Sequence, residues 1–157
     1  MTKIFAAIVL LFIYLVFSQA DRLVQGHLAV HDPNASEKRF DYVGGGCLAE
    51  KCLLIYTAPW CPTCQRLTPV MIALAQALRQ EGIPVSIIAG KDSDRDLALY
   101  AKKFPFPIYL DAEGEFFQQA ELKAVPYFVV TNDMGEILED IYGGYRSVKA
   151  LRENLDI

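Results

Sequence analysis

Two cysteines separated by two residues, in Trp60-Cys61-Pro62-Thr63-Cys64-Gln65, stand where an apolar run ends and an amphipathic stretch begins. A pair at this spacing on the first turn of a helix can pass between dithiol and disulfide. Only the thiolate attacks a disulfide, and an unperturbed thiol ionises near pH ~8.5. A helix N-terminus favours the anion through its unpaired backbone N–H groups and the positive end of its dipole. Cys61 is therefore read as the nucleophile, and Cys64, one turn on and facing inward, as the thiol that resolves a mixed disulfide. Pro62 suits the first helical position, where its missing N–H costs nothing, and Thr63 adds a polar contact beside it. Gln65 follows Cys64 where a c-type haem site needs His, which excludes covalent haem attachment.

Positioning such a pair requires a strand ahead of it and a helix behind. Residues 52–56 form a continuous apolar run, the pattern of a central strand covered on both faces. Leu67, Val70, Met71, Leu74 and Leu78 then share one face of a helix over about 62–81, closed by Gly82 and holding Pro69, which predicts a kink. A second strand is expected at 85–89, followed by a helix that Ser93-x-x-Asp96 opens as a capping box and that runs to about Lys103. Phe104-Pro105-Phe106-Pro107 breaks it. A short strand at 108–110 and helical turns around 115–122 come next. Asn132-Asp133-Met134-Gly135, between two β-rich runs, is a hairpin signature, and 147–155 closes the chain as a helix. The order βαβα, an inserted strand and helix, then ββα describes an α/β fold with a mixed sheet and helices on both faces.

At 157 residues the chain suffices for one core plus a short extension. Lys and Arg number 15 against 19 Asp and Glu, a formal charge of −4 with no basic run, so nucleic acid is not an expected partner. Lys3 precedes an uninterrupted apolar stretch over 4–17, and Ser18-Gln19-Ala20 then offers small residues for a signal peptidase. Residues 1–20 are thus read as an export segment. Its 14 apolar residues fall short of the ~20 that span a bilayer, so a cleaved signal peptide and a retained membrane anchor both stay open. Residues 21–43, with His27, His31 and Asp32-Pro33-Asn34, read as a polar tether without apolar period, and 44–157 as the folded domain.

Taken together, Trp60-Cys61-Pro62-Thr63-Cys64, Pro69 in the following helix, Val125-Pro126 ahead of the hairpin, and Gly135 and Gly143 resemble the thioredoxin fold over 52–155. From Ala89 to Pro126 lie 37 positions, more than one helix and a loop require. That insert, with the export segment, is similar to the TlpA/ResA/CcmG type of extracytoplasmic thiol-disulfide oxidoreductase. The resemblance implies an enzyme working in the periplasm or otherwise outside the cytoplasm, on client proteins bearing disulfides or thiols. It implies reduction of client disulfides, including those of apocytochrome c, with electrons from a membrane redox partner. Oxidase, isomerase and non-enzymatic chaperone readings remain as alternatives. It further implies that Pro126 is cis and that the Val125 backbone offers an edge on which an extended client strand can pair. Trp60 is expected either to wall the cysteine pair or to pack at the strand end. Gly143 is expected to allow close backbone approach, with Gly144 a plain turn residue. Ile55 stands where thioredoxin carries a buried acid, so the resemblance supplies no acid for the resolving thiol.

Cys47 and Cys52 form a second pair. Five extended residues span about 17 Å, against metal–sulfur distances of about 2.3 Å, so one zinc ion cannot hold all four cysteines. The two pairs are expected at opposite edges of the sheet, which disfavours a relay between them. A small-loop structural disulfide fastening Gly44-Gly45-Gly46 to the sheet is the leading reading, and a second redox pair the alternative. Copper delivery lacks a His after His31, and a peroxidase would not need a partner three residues from its cysteine. The expected chemistry needs neither cofactor nor metal.

Overall fold

The computed structural model describes residues 22–35, 39–44 and 47–157. Its strands are β1 (Gln25–His31), β2 (Arg39–Gly44), β3 (Cys52–Thr57), β4 (Val85–Gly90), β5 (Ile108–Asp111), β6 (Tyr127–Thr131) and β7 (Ile137–Tyr142). The helices are α1 (Pro62–Gln80), α2 (Asp94–Ala101), α3 (Glu115–Gln119) and α4 (Val148–Leu155). One sheet holds all seven strands in the order β2-β1-β5-β4-β3-β6-β7. The structure thus has the thioredoxin fold: a mixed central sheet, helices on both faces, and the extra β5–α3 unit inserted before Pro126.

β3 lies inside the sheet, and its mostly apolar run lets all six of its residues be buried. It pairs in parallel with β4 and antiparallel with β6. Alternation sends Leu53 and Ile55 into the core beneath α1, α2 and α4, and Leu54 and Tyr56 into the opposite core with Phe116 of α3. On α1, Leu67, Met71, Leu74 and Leu78 are buried as their spacing requires, while Val70 is only partly covered. The helix continues through Pro69, and Gly82, at φ +82°, follows its C-terminal end. Ser93 caps α2, its hydroxyl accepting from the Asp96 N–H and donating to the Asp96 carboxylate. On the α3 side, the Tyr56 hydroxyl donates to buried Asp111 at 2.7 Å, and Asp111 also accepts the backbone N–H groups of Phe116 and Phe117.

The segment read as a polar tether is instead part of the sheet. β1 pairs antiparallel with β2 and, through Ala29, Val30 and His31, with the edge of β5. Leu23, Leu28, Val30 and Val43 are buried, and the Leu23 N–H donates to Gly135 at the β6–β7 turn. The apolar alternation of Leu28 and Val30 is too short to show as a period, and pairing with β5 supplies what the local sequence does not. His27 and His31, taken as linker residues, lie on β1. The export segment at 1–20 falls outside the described residues. Among the described residues no helix is long and apolar enough to cross a membrane.

Candidate active site

The turn between β3 and α1 builds the site. Ala58 closes the strand end and accepts the Cys61 N–H, and Cys61 caps α1 with Pro62 at the first helical position. The Cys61 sulfur accepts the Cys64 N–H at 3.1 Å, taking up one of the backbone donors the helix leaves unpaired. The Gln65 side-chain amide donates to the Pro59 carbonyl, tying the turn to the helix.

Both cysteines are free thiols packed with Ala58 and Val125. Cys61 retains 5% of its surface exposed, whereas Cys64 is fully buried. Burial is the main reason the Cys64 thiol is pushed up to about 12, and its hydrogen bond with Cys61 adds to the shift; hydrogen bonds from Thr57 and the Ala58 backbone oppose it. The arrangement separates a slightly exposed thiol at the helix start from an inner thiol whose protonated form burial favours.

Val125-Pro126 is a cis peptide bond and meets the cysteines from the β6 side. The Cys61 thiol lies 3.6 Å from the Val125 carbonyl. Beyond it, Pro126 is buried, and its carbonyl accepts the Gly143 N–H. Trp60 is 53% exposed, with its indole N–H held on the Lys91 carbonyl at 2.9 Å. It is a half-open ring at the site's edge rather than a packed strand end. Thr63 accepts from Arg66 at 3.0 Å, and a groove lined by Thr63, Arg66, Leu67, Gly144 and Arg146 runs alongside.

The two glycines exchange their expected parts. Gly143 adopts φ +84° with open space where a side chain would stand. Close approach belongs to Gly144, where a Cβ would sit 1.9 Å from Leu67 Cδ1. The chain reverses at one residue and packs on α1 at the next.

Cys47 and Cys52 are joined in a disulfide with Cα atoms 6.4 Å apart. The two cysteine pairs are not at opposite edges of the sheet. They lie at opposite ends of the central strand β3, which starts at Cys52 and ends four residues before Cys61. Ile55, buried between Ile87 and Phe128, confirms that no acid occupies that strand position.

Sequence reading did not find the polar cluster behind Cys64. The Tyr100 hydroxyl lies 2.9 Å from Thr57 Oγ1 and 2.9 Å from Thr68 Oγ1, and Thr68 donates to the Cys64 carbonyl at 2.9 Å. Burial raises the Tyr100 phenol above its ordinary range, against the hydrogen bonds from Thr57 and Thr68. The available signal was Thr57, two residues beyond Ile55 and so on the same face of β3.

Known proteins share this fold. Probable nucleoredoxin 1 of Arabidopsis thaliana is 24% identical over 98 residues, 59% of this chain and 17% of that protein, so the chain spans about a sixth of the curated relative it matches. Among solved structures, a candidate thiol:disulfide interchange protein DsbE from Chlorobium tepidum superposes with a TM-score of 0.67 at 17% identity, covering 87% of this chain and 94% of that one. A secreted disulfide oxidoreductase of Mycobacterium tuberculosis gives 0.57 at 19% identity, over 68% and 81% of the two chains. The family model of the thioredoxin-like domain matches residues 48–156, over the strand-turn-helix that sets Cys61 at the start of α1, and the chain belongs to that family.

Proposed function

We propose that this chain is a protein thiol-disulfide oxidoreductase that works outside the cytoplasm and reduces the disulfides of client proteins. One observation carries the reading: the Cys61 sulfur caps α1 on the Cys64 N–H and lies beside the Val125 carbonyl, within reach of a client, while Cys64 waits fully buried behind it. Cys61 thiolate attacks a client disulfide and releases one client thiol. Cys64 then attacks Cys61, the second client thiol leaves, and the pair is left oxidised. An extended client segment pairs along the Val125 backbone, with Trp60, Pro62, Thr63 and Pro126 forming the surface around it.

The reductive direction, the membrane redox partner that would restore the dithiol, and a role in cytochrome c maturation follow the TlpA/ResA/CcmG resemblance. The secreted M. tuberculosis protein supports an extracytoplasmic setting, where the Cys47–Cys52 disulfide serves as a structural clasp. Residues 1–20 would direct export, or hold the domain at the membrane.

Trapping tests the reading. Cys64→Ala accumulates client mixed disulfides on Cys61, and Cys61→Ala accumulates none; trapping that followed Cys64 would reverse the roles, and absence of trapping would remove the activity. The equilibrium potential of the pair fixes direction. A value near thioredoxin's, about −270 mV, supports the reductase, and one near DsbA's, about −120 mV, supports the oxidase.

A further inference from the structure

Cys64 must lose its proton to resolve a mixed disulfide, yet it is fully buried and its thiol is held in the protonated form. Hydroxyls face it instead of a carboxylate. Thr57 comes from the end of β3, Thr68 from one turn further along α1, and Tyr100 from the last turn of α2. Thr57 and Tyr100 are 0% and 3% exposed and Thr68 is 4% exposed, so water does not compete for them.

Counting protons gives the cluster a direction. A hydroxyl has one proton to donate, and Thr68 places its own on the Cys64 carbonyl. Tyr100 must then donate to Thr68, and Thr57 to Tyr100. That leaves Thr57 with no proton to offer the Cys64 sulfur while Cys64 stays a thiol whose S–H turns to Cys61. With the sulfur ionised the order reverses: Thr68 turns to Tyr100, Tyr100 to Thr57, and Thr57 donates to the thiolate. The Cys64 carbonyl keeps its helical N–H partner throughout.

We propose that Thr57, Tyr100 and Thr68 form a reversible hydroxyl chain that steadies the Cys64 thiolate during resolution, with Tyr100 as the positioning residue that sets the direction of Thr57. The proposal rests on the disulfide-exchange reading above. In the step it serves, the Cys61 Sγ–client Sγ bond breaks as the Cys61 Sγ–Cys64 Sγ bond forms. The electron pair leaves on the client sulfur, which also ends with the proton from Cys64. Mixed disulfide and thiol become intramolecular disulfide and client thiol, without an external oxidant. The ionisable or charged groups facing the cluster are Cys61 on α1 and the Lys103 ammonium, 5.1 Å over the Tyr100 ring; β3 and the Val125 loop contribute Thr57, Ala58 and Val125, which do not ionise.

Single-turnover reaction of the reduced full chain with a chromogenic aromatic disulfide separates two releases of coloured thiol, the first from attack by Cys61 and the second from resolution by Cys64. Tyr100→Phe keeps the first phase within about twofold and slows the second about tenfold near neutral pH, displacing its pH profile about one unit alkaline. Thr57→Val does the same, and Thr57→Ser restores the wild-type second phase. A second phase with unchanged rate and pH profile in Tyr100→Phe overturns the proposal, as does equal slowing by Thr57→Ser and Thr57→Val. If Tyr100→Phe does not fold, the Thr57 pair decides alone. Failure of the exchange reading looks different: wild type then shows neither phase, and Cys64→Ala traps no client.

Discussion

The Tyr56 hydroxyl occupies the space that a side chain on Gly90 would fill. A Cβ on Gly90 would stand 1.9 Å from that oxygen and 2.8 Å from the backbone carbonyl of Asp111. Tyr56 cannot withdraw without losing its 2.7 Å hydrogen bond to Asp111, and the carbonyl belongs to β5. Gly90→Ala is therefore expected to destabilise the domain by about 3 kcal/mol, read as a lower urea midpoint with the slope unchanged.

Gly144 meets a side chain rather than backbone, so its substitution is milder. Leu67 is buried and has little room to turn away. Gly144→Ala should cost about 1–2 kcal/mol in the same measurement. An effect as large as that of Gly90→Ala would mean that the loop after β7 is held more rigidly than Leu67 alone requires.

Closing the loop from Cys47 to Cys52, a sequence separation of 5, removes unfolded-state entropy worth about 2 kcal/mol. The double variant Cys47→Ser, Cys52→Ser should lose about that much in denaturant titration and keep single-turnover exchange at Cys61. Loss of exchange with the fold intact would make the second pair part of the electron route.

Reduced and oxidised forms should respond differently to alkali. A thiol with a folded pKa above its unfolded value is still protonated in the fold where the unfolded chain has already ionised. Its contribution is complete below the ordinary thiol range of about 8.5 and is lost as pH rises toward about 12 for Cys64. Raised phenols at Tyr56 and Tyr127 act with the same sign in both redox forms and cancel in the comparison. Thermal unfolding should show the reduced form losing on the order of 5 °C relative to the oxidised form between pH 8 and 10.

Removal of residues 22–44 tests the hairpin β1–β2. It uncovers the edge of β5 and the core around Leu28 and Val43. Stability should fall by on the order of 3–6 kcal/mol, with self-association visible by size-exclusion chromatography. A monomeric truncated chain of unchanged stability would return the segment to the status of a tether.

The sequence makes some elements plain and hides others for physical reasons. β3, α1, α2 and the β6–β7 hairpin are readable because their apolar periods, the Ser93 cap and the Asn132 turn are local signals. β1 and β2 are not, because their stability comes from the edge of β5, some eighty residues away in the chain. Within the site, Cys61 and Cys64 announce themselves by type and spacing, and Pro126 by the resemblance to the thioredoxin fold. Tyr100 does not: on α2 it reads as one more apolar position, and only packing places its hydroxyl between Thr57 and Thr68. The same limit explains the exchange of parts between Gly143 and Gly144, since an α1 side chain decides which of them must be bare.

Arg22 bridges Glu136 beside the β6–β7 turn. On β6 that turn lies past Thr131, paired with Cys52, whereas Pro126 and Cys61 lie at the other end. Arg22 and the dithiol are thus at opposite poles of the sheet. A partner held at the Arg22 pole would therefore leave the reactive face open, with the Cys47–Cys52 clasp on the partner's side.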